Sequence, residues 1–589
     1  MFVVAMMLGS LALPGPSGGA EGGTPPNILL LIADDLGVDG LESYGEGSGT
    51  PTTPNIDSLA QGGLLFRNVW SNPVCSTTRA TILTGNYAFR NGIGWLVYES
   101  SAGPPLQLSE LTLPEALDWT TGGLYAHAAF GKWHLGDSTV GGESAPNQAG
   151  FSHYSGALAN LLPPNDYFNW PKTVDGTTTT STNYATTETV DDVLAWVGQT
   201  PEPWFAHVAF HAPHTPFHSP PANLHTVDLT QPTKRLQFEA MVEALDTEIG
   251  RLLASLPPAV SANTMVIFVG DNGSHSSITL SPFDTEHAKS TLYEGGVNVP
   301  LIISGPLLSD TGEVRGLVTT TDLYRTVLEM AGGTIPLPAK AGQDSVSLVP
   351  YFADASLQTL REYAYAEEFL PNGVKQRNPW FPIGSALPQY TCQDDLGFAG
   401  PGTSAMRICG EPLYGGYMDS DQNAQLLLTG APPNGLGMLF QSFTADPMPM
   451  YGGTLVPNPA TMKSISTDAL GVYMEEITAH QHILGPRYYQ AAIRDVTLPG
   501  GFAISNCVAA DTLPSDLEAI RDLRFKLIVD NKLGREEFFD LALDPFEQLD
   551  LLAGGSLEPF QANRLTQLRA QLIQLRWNSQ VPTNSDSNN

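Results

Sequence analysis

The feature that most limits how this chain can fold is residues 28–33, ILLLIA, an apolar run with no polar alternation that stops at Asp34-Asp35. A strand of this kind cannot leave one face to water, so it belongs in a sheet covered on both sides, as parallel sheets are. The pattern recurs: residues 204–210 run into His211, and residues 265–269 run into Asp271-Asn272. Further strand candidates lie at 64–66 with Val69, at 125–133 and at 299–303. Helices are expected over 55–60 (Thr53 as cap, Pro54 in the first turn), 79–83, 186–197, 236–256 and 322–330, the last stopped by Gly332-Gly333.

Strands and helices that alternate from about 25 to 350, with polar residues at strand ends, predict an open α/β sheet with a ligand crevice at one edge. The fold class expected is therefore α/β, a large mixed, mostly parallel sheet flanked by helices. A smaller C-terminal α+β domain should follow, with a short antiparallel sheet formed by a hairpin of 523–530 and 536–541 and a helix at 565–575. Between 355 and 515 the alternation gives way to Gly, Pro and aromatic residues, with a helix expected at 469–479. The divisions this implies are 1–23 as a signal-like segment or tail, 24–440 as the main domain, 441–578 as the C-terminal subdomain and 579–589 as a terminal tail.

Composition removes several functions. Apolar residues at 42% exclude a disordered chain, and a net charge of −33 excludes general attraction to nucleic acid. The four cysteines form no C-x-x-C pair, although Cys392 and Cys409 could bond in an oxidising compartment. Residues 2–13 are apolar and lead into a Pro/Gly/Ser run, like a secretory peptide without its basic start; they are too short to span a bilayer. A periplasmic or secreted protein without stable membrane insertion is expected.

The strand ends carry the chemistry. Asp34, Asp35, Asp271 and Asn272 are hard oxygen donors suited to Ca²⁺ or Mg²⁺ if they meet at one edge. Lys132 and His134 are two residues apart on what reads as one side of an extended segment, and Lys289 lies in EHAKSTLYEGG. In a chain with only nine lysines, two among Gly-flanked polar segments read as anion clamps. His211, His214 and His218 have zinc-like spacing but lie among prolines, away from any H-E-x-x-H helix, which sets that reading aside.

Cys75-Ser76-Thr77-Thr78-Arg79, continuing to Gly85, resembles the modification motif of the formylglycine-dependent sulfatases of the alkaline phosphatase superfamily. The resemblance extends in order through residues 26–37, Gly131-Lys132-Trp133-His134-Leu135-Gly136, Ala212-Pro213-His214-Thr215-Pro216, 268–273 and 289–300. It resumes at Lys526-Leu527-Ile528 and Phe539-Asp540-Leu541 with Asp544-Pro545. It implies an alkaline phosphatase-like fold and hydrolysis of sulfate monoesters of a small molecule or saccharide. Cys75, oxidised to formylglycine (3-oxoalanine) by a formylglycine-generating enzyme, would be nucleophile and metal ligand. Asp34, Asp35, Asp271 and Asn272 would complete the shell of Ca²⁺, with Mg²⁺ or Mn²⁺ as alternatives. Arg79 would orient the aldehyde hydrate, Lys132, His214 and Lys289 would contact sulfate, His134 would stabilise the hydrate, and His214, alone or shared with Lys289, would protonate the leaving oxygen. The hydrate offers a second hydroxyl through which sulfate can be expelled without attack by water.

The chain departs from the family's usual residues at Thr77, Asn86, Asn298 and Arg325. The alternative within the superfamily is a phosphate mono- or diester or phosphonate hydrolase. The alternative of another class is a binding protein on the same scaffold, should Cys75 stay unmodified. Oligomeric state is left open.

Overall fold

The computed structural model describes residues 25–97, 104–370 and 372–373, and 393–577 apart from 398, 411–412, 415–422, 443–444, 451–452, 458–460, 479–484, 499, 514–515 and 532–534. Ten strands form the main sheet: β1 (Asn27–Ala33), β2 (Leu64–Trp70), β3 (Ala126–Lys132), β4 (His153–Ala157), β5 (Trp170–Val174), β6 (Thr177–Ser181), β7 (Trp204–Ala209), β8 (Thr264–Gly270), β9 (Leu301–Ser304) and β10 (Gly312–Thr319). Their order is β10-β2-β9-β8-β1-β7-β3-β4-β5-β6. The centre is parallel, β8-β1-β7-β3-β4, while β9 runs antiparallel to both its neighbours and β5 and β6 close one edge as antiparallel strands.

The run that opened the sequence reading explains this arrangement. Ile28, Leu30 and Ile32 enter one core, shared with Ile82 and Leu83 of helix Cys75–Thr84, and Leu29, Leu31 and Ala33 enter the other, shared with Val193 and Leu245. All six residues have no solvent exposure. At about 2 kcal/mol for each large apolar side chain, β1 is the strand around which both layers close. Helices Ala185–Val197 and Lys234–Ser255 cover one face, and helices Leu113–Thr121 and Leu323–Met330 the other.

One cap differs from expectation. The first long helix, α1 (Pro54–Gln61), is not capped by the Thr53 side chain. Its free N–H groups at Asn55 and Ile56 are taken by Asp246 of helix Lys234–Ser255, at 3.1 and 2.8 Å. A carboxylate delivered from a neighbouring helix meets the same need as a local cap and also favours the positive end of the helix dipole.

The stretch without alternation is all β among its described residues. A seven-stranded sheet follows the path Gln393–Gly397, Cys507–Leu513, Gly485–Arg494, Leu436–Ser442 and Thr461–Ser466, with two further strands beside that path. The strand Leu436–Ser442 thus passes through position 440. The helix expected at 469–479 is instead the strand Tyr473–Thr478, paired with Asn423–Thr429. The cause is Asp468, whose side chain accepts from the N–H groups of Leu470 and Val472 at 2.8 and 2.9 Å, with Gly471 at φ 75° turning the chain back. Cys392 and several aromatic residues of this stretch, among them Trp380, Phe381, Tyr390, Tyr417 and Tyr451, lie outside the described residues, and Tyr489 is core.

The C-terminal sheet orders Ala364–Phe369, Asp516–Arg521, Phe525–Asp530 and Arg535–Asp540, all antiparallel, and includes the expected hairpin. Helix Pro559–Trp577 covers one face through Leu565, Leu568 and Leu572. The other face packs Ala366, Ala519 and Phe539 onto Trp70, Leu292 and Val297 of the main domain. Beneath it, Glu294 accepts from Arg521 (2.9 Å), Trp70 Nε1 (3.0 Å) and Lys526 (3.3 Å), and Lys526 pairs with Glu547 at 2.6 Å.

Candidate active site

Strand register brings the polar ends to one level: Ala33 lies opposite Gly270, and Ile32 opposite Ala209. Beyond the strands, Asp34 N–H donates to Ala212 O and Asp271 N–H donates to Ala33 O, each at 3.1 Å. The carboxylates of one loop and the histidine segment of another are therefore tied to one another before any side chain is considered.

Cys75 is the first residue of α2 (Cys75–Thr84), a helix buried along its whole length. Thr78 Oγ1 accepts from Asn72 N–H at 3.0 Å and fixes the turn that enters the helix. The Cys75 sulfur stands 3.2 Å from Asp34 Oδ1, and Lys289 Nζ lies 3.8 Å from that sulfur. Lys132 Nζ reaches Asp34 Oδ2 at 2.6 Å, and Lys289 Nζ reaches the two Asp35 oxygens at 2.6 and 2.7 Å. Arg79 grips Asp271 Oδ2 through Nε (3.0 Å) and a terminal nitrogen (2.7 Å), and donates to Lys132 O at 3.0 Å. The segments bearing Cys75 and Lys289 are joined directly: Ser71 N–H donates to Val297 O (2.8 Å) and Ser290 N–H to Pro73 O (3.0 Å).

His134 is not on one side of an extended segment with Lys132. Strand β3 ends at Lys132, and His134 takes φ 60°, which turns its side chain by a different route. Its carbonyl accepts from Ser76 Oγ (2.8 Å), and the same Ser76 oxygen accepts from Val97 N–H (3.0 Å). Asp35 (φ 64°) and Ser290 (φ 71°) are likewise left-handed, so three of the six such non-glycine residues among those described lie at or beside this site.

The electrostatics follow from burial against charge. Burial pushes the Asp34 carboxyl up, but Lys132, His214, Arg79 and Lys289 together hold it well below the usual carboxylate range. Asp271 is driven up to about 6 by burial and the Asp34 charge, against Arg79. Burial and the Asp34 charge raise the Cys75 thiol well above its ordinary value. Without a bound cation, the thiol is favoured over the thiolate at an unmodified Cys75. Burial lowers His214 to about 4, and burial with the Lys132 charge holds His134 well below its ordinary value.

The donor set fits a divalent cation. Asp34, Asp35, Cys75 and His214 offer ligand atoms all within 4.8 Å of one another. The Asn272 side-chain oxygen is buried with no hydrogen-bond partner among the described residues, while its nitrogen donates to Asp35 Oδ1 at 2.8 Å. An orphaned oxygen beside two carboxylates is where a cation would complete the valence. Asp271 stands outside the four-residue group, its oxygens taken by Arg79 and by Asp35 N–H at 3.1 Å. His214 stands inside it, with Nε2 3.7 Å from Asp35 Oδ2. The three histidines do not gather around a zinc: His211 Nε2 faces Ala159 O, His214 Nδ1 faces Thr215 O and His218 Nδ1 faces Pro216 O.

Three of the four departures from the usual motif are absorbed locally. Asn86 donates to Lys340 O and accepts from Gln343 N–H, Asn298 accepts from Val69 N–H, and Arg325 donates to Gly342 O. Thr77 is buried in α2, its hydroxyl without a partner among the described residues. Several supporting residues escaped the sequence reading. Ser274 Oγ accepts from Gly37 N–H (3.1 Å) and donates to Asp39 (2.6 Å), while its carbonyl accepts from Lys289 N–H (3.0 Å), so one serine links three site loops. Only its place two residues after Asn272 could have drawn attention to it.

A parallel α/β sheet whose strand ends gather buried carboxylates, two lysines, an arginine and a modifiable cysteine defines a hydrolase for anionic esters. The family model "Sulfatase" matches residues 26–333, and the chain belongs to that family of sulfuric ester hydrolases. It is 30% identical to human N-acetylgalactosamine-6-sulfatase over 386 residues, 60% of this chain and 70% of that protein. It is 29% identical to human arylsulfatase A over 463 residues, 71% and 87% of the two chains. The match to mouse arylsulfatase J, 28% identical, covers 54% of this chain and spans 55% of that protein. Among solved structures, Ps i-CgsB superposes with a TM-score of 0.60 at 19% identity over 95% of this chain and 94% of that one, a likeness of fold.

Proposed function

We propose that this chain hydrolyses sulfate monoesters of saccharides or small alcohols and phenols, with Cys75 as formylglycine and Ca²⁺ in the Asp34–Asp35 pocket. The observation that carries the reading is Cys75 at the head of a buried helix, between Asp34 at 3.2 Å and Lys289 at 3.8 Å. Asp34, Asp35, Asn272 and the Cys75 position would hold the ion, with His214 within reach of the same pocket. The bound ion would neutralise the carboxylates and draw charge from the sulfuryl oxygens. A hydrated aldehyde at Cys75 would supply an oxygen nucleophile, which the buried thiol does not.

The remaining work falls to side chains already in place. Lys132 and Lys289 are the cations within reach of the sulfate oxygens. Arg79, locked by Asp271 and Lys132 O, orients the Cys75 end of the pocket. His214 Nδ1 is 2.7 Å from Thr215 O, which can only accept, so Nδ1 carries the hydrogen and Nε2 is left to serve the leaving oxygen. His134 lies beside Lys132 and steadies the nucleophile. Saccharide esters are favoured because solved relatives of this fold hold k-i-k-neocarrahexaose and D-glucosamine-2-N,6-O-disulfate. Export to the periplasm or beyond, after modification by a formylglycine-generating enzyme, fits the signal-like residues 1–23.

The tryptic peptide containing Cys75, from a host that makes formylglycine, should be lighter than the cysteine form by about 18 Da. A peptide of unmodified mass would end the reading in this form and leave a binding protein. A panel of sulfated sugars, aryl sulfates, phosphodiesters and phosphonates should show turnover of the sulfates; turnover confined to the phosphorus esters would make the superfamily alternative correct.

A further inference from the structure

Tyr167 lies in the connection between β4 and β5, far in sequence from every motif of the site. Its ring is 1% exposed. Its hydroxyl oxygen is 2.5 Å from His211 O and 2.7 Å from His214 O, contacts made across 44 and 47 residues. A phenol has one hydrogen, which these two carbonyls share. The His211 carbonyl also accepts from His214 N–H at 2.9 Å, whereas the partner of the His214 carbonyl among the described residues is the Tyr167 hydroxyl.

The segment this hydroxyl serves is short of donors. Pro213 and Pro216 flank His214 and have no N–H to give. Its inner side is tied to the carboxylate loop by Asp34 N–H on Ala212 O. The outer side is tied by Tyr167. The ring itself is fixed independently of its oxygen: His218 lies over it with centroids 4.2 Å apart, Tyr184 is at 6.1 Å, and His211 meets it edge-on at 6.5 Å. A phenylalanine would satisfy all of that packing. The oxygen is therefore present for the two carbonyls. The backbone it holds is the one whose next carbonyl, Thr215 O, sets the hydrogen on His214 Nδ1.

We propose that Tyr167 is a positioning residue: its hydroxyl holds the His211 and His214 carbonyls and so fixes where His214 Nε2 points. The proposal rests on the reading that His214 serves the leaving oxygen. Help at that oxygen matters most when the leaving group is poor, and this separates positioning from a general structural role.

The test compares wild type, Tyr167→Phe, His214→Ala and Tyr184→Phe on 4-nitrophenyl sulfate and phenyl sulfate, with rates expressed per formylglycine-bearing centre. Tyr167→Phe should lower kcat about 10-fold on phenyl sulfate but no more than about 2-fold on the nitrophenyl ester, with KM little changed. Tyr184→Phe, which touches neither carbonyl, should behave as wild type. Equal losses on both esters, no loss, or the same pattern from Tyr184→Phe would overturn the proposal. If His214→Ala costs both esters alike, the leaving-oxygen reading falls and takes the proposal with it; if His214→Ala discriminates and Tyr167→Phe does not, the proposal alone falls. Independently of turnover, ¹⁵N chemical shifts should report the Nδ1–H form of His214 in wild type and a mixture of tautomers in Tyr167→Phe. An unchanged tautomer in that variant also overturns it.

Discussion

The cluster at the strand ends and the cluster under the C-terminal sheet both bury acids against bases, yet they finish differently. Under the sheet, Glu294 and Glu547 face Arg521 and Lys526, and the indole of Trp70 donates to Glu294 while its ring lies 4.8 Å from the Lys526 ammonium. Burial pushes Glu294 up, and Arg521 and Lys526 bring it below its ordinary range. These charges are satisfied by one another. At the strand ends, three carboxylates and three cations also balance, but a thiol stands among them and Asn272 Oδ1 is left over. Lys289 and His214 also keep 10% and 9% of their side chains exposed. A buried cluster built for stability closes on itself; one built for chemistry keeps an unused valence and an opening.

Three measurements can break that distinction. The largest effect should come from Lys132→Ala, which removes a cation from the strand-end cluster and should lower turnover of an accepted sulfate ester about 1000-fold, with folding retained in Ca²⁺-containing buffer. A fall in turnover matched by an equal loss of stability would mean that the two clusters do the same work. Next is Glu294→Gln, which leaves Arg521 and Lys526 facing one carboxylate. Unfolding in denaturant should show a loss of about 3 kcal/mol, while kcat/KM per folded centre stays within a few-fold of wild type. An unaltered midpoint would show that the lower cluster is not what joins the sheet to the main domain.

The smallest effect concerns Glu46, raised to about 7 by burial and then by the Glu294 charge. A carboxyl raised in the folded state favours folding below its unfolded value, near 4.5, and that contribution is lost as pH rises through about 7. Glu46→Gln stays neutral throughout. It should match wild type in stability at pH 4 and exceed it at pH 8, by up to about 1 kcal/mol once solvent screening is allowed for. Equal stability of the two proteins at pH 8 would remove Glu46 from the field of the lower cluster.

Much of the main sheet was legible because burial on both faces leaves a direct trace in residues 28–33 and 265–269, and because parallel strands end their apolar runs where the crevice begins. The site residues were legible for the same reason: Asp34, Asp35, Asp271 and Asn272 are the first polar residues after those runs. What stayed hidden depends on contacts with no local signature. Asp246 caps a helix 190 residues away, and Tyr167 reaches carbonyls on another loop. The sheets between 393 and 513 were hidden because Gly and Pro interrupt the stretch and blur its alternation, and because Asp468 makes what looked like a helix start into a turn that leads from one sheet to another.

The backbone bonds from Ser71 to Val297 and from Ser290 to Pro73 have a consequence for how selectivity can change. They make the strip carrying Cys75 and the strip carrying Lys289 a single plate, backed by the C-terminal sheet. Cys75 and Lys289 thus sit on one plate, with 3.8 Å from sulfur to ammonium. Segment 92–97 touches that plate through the side chain of Ser76, which accepts from Val97 N–H, so a change of shape in this segment need not move the strip that carries Cys75. Substitutions in 92–97 can then alter the outline of the pocket while the Cys75–Lys289 spacing stays where it is.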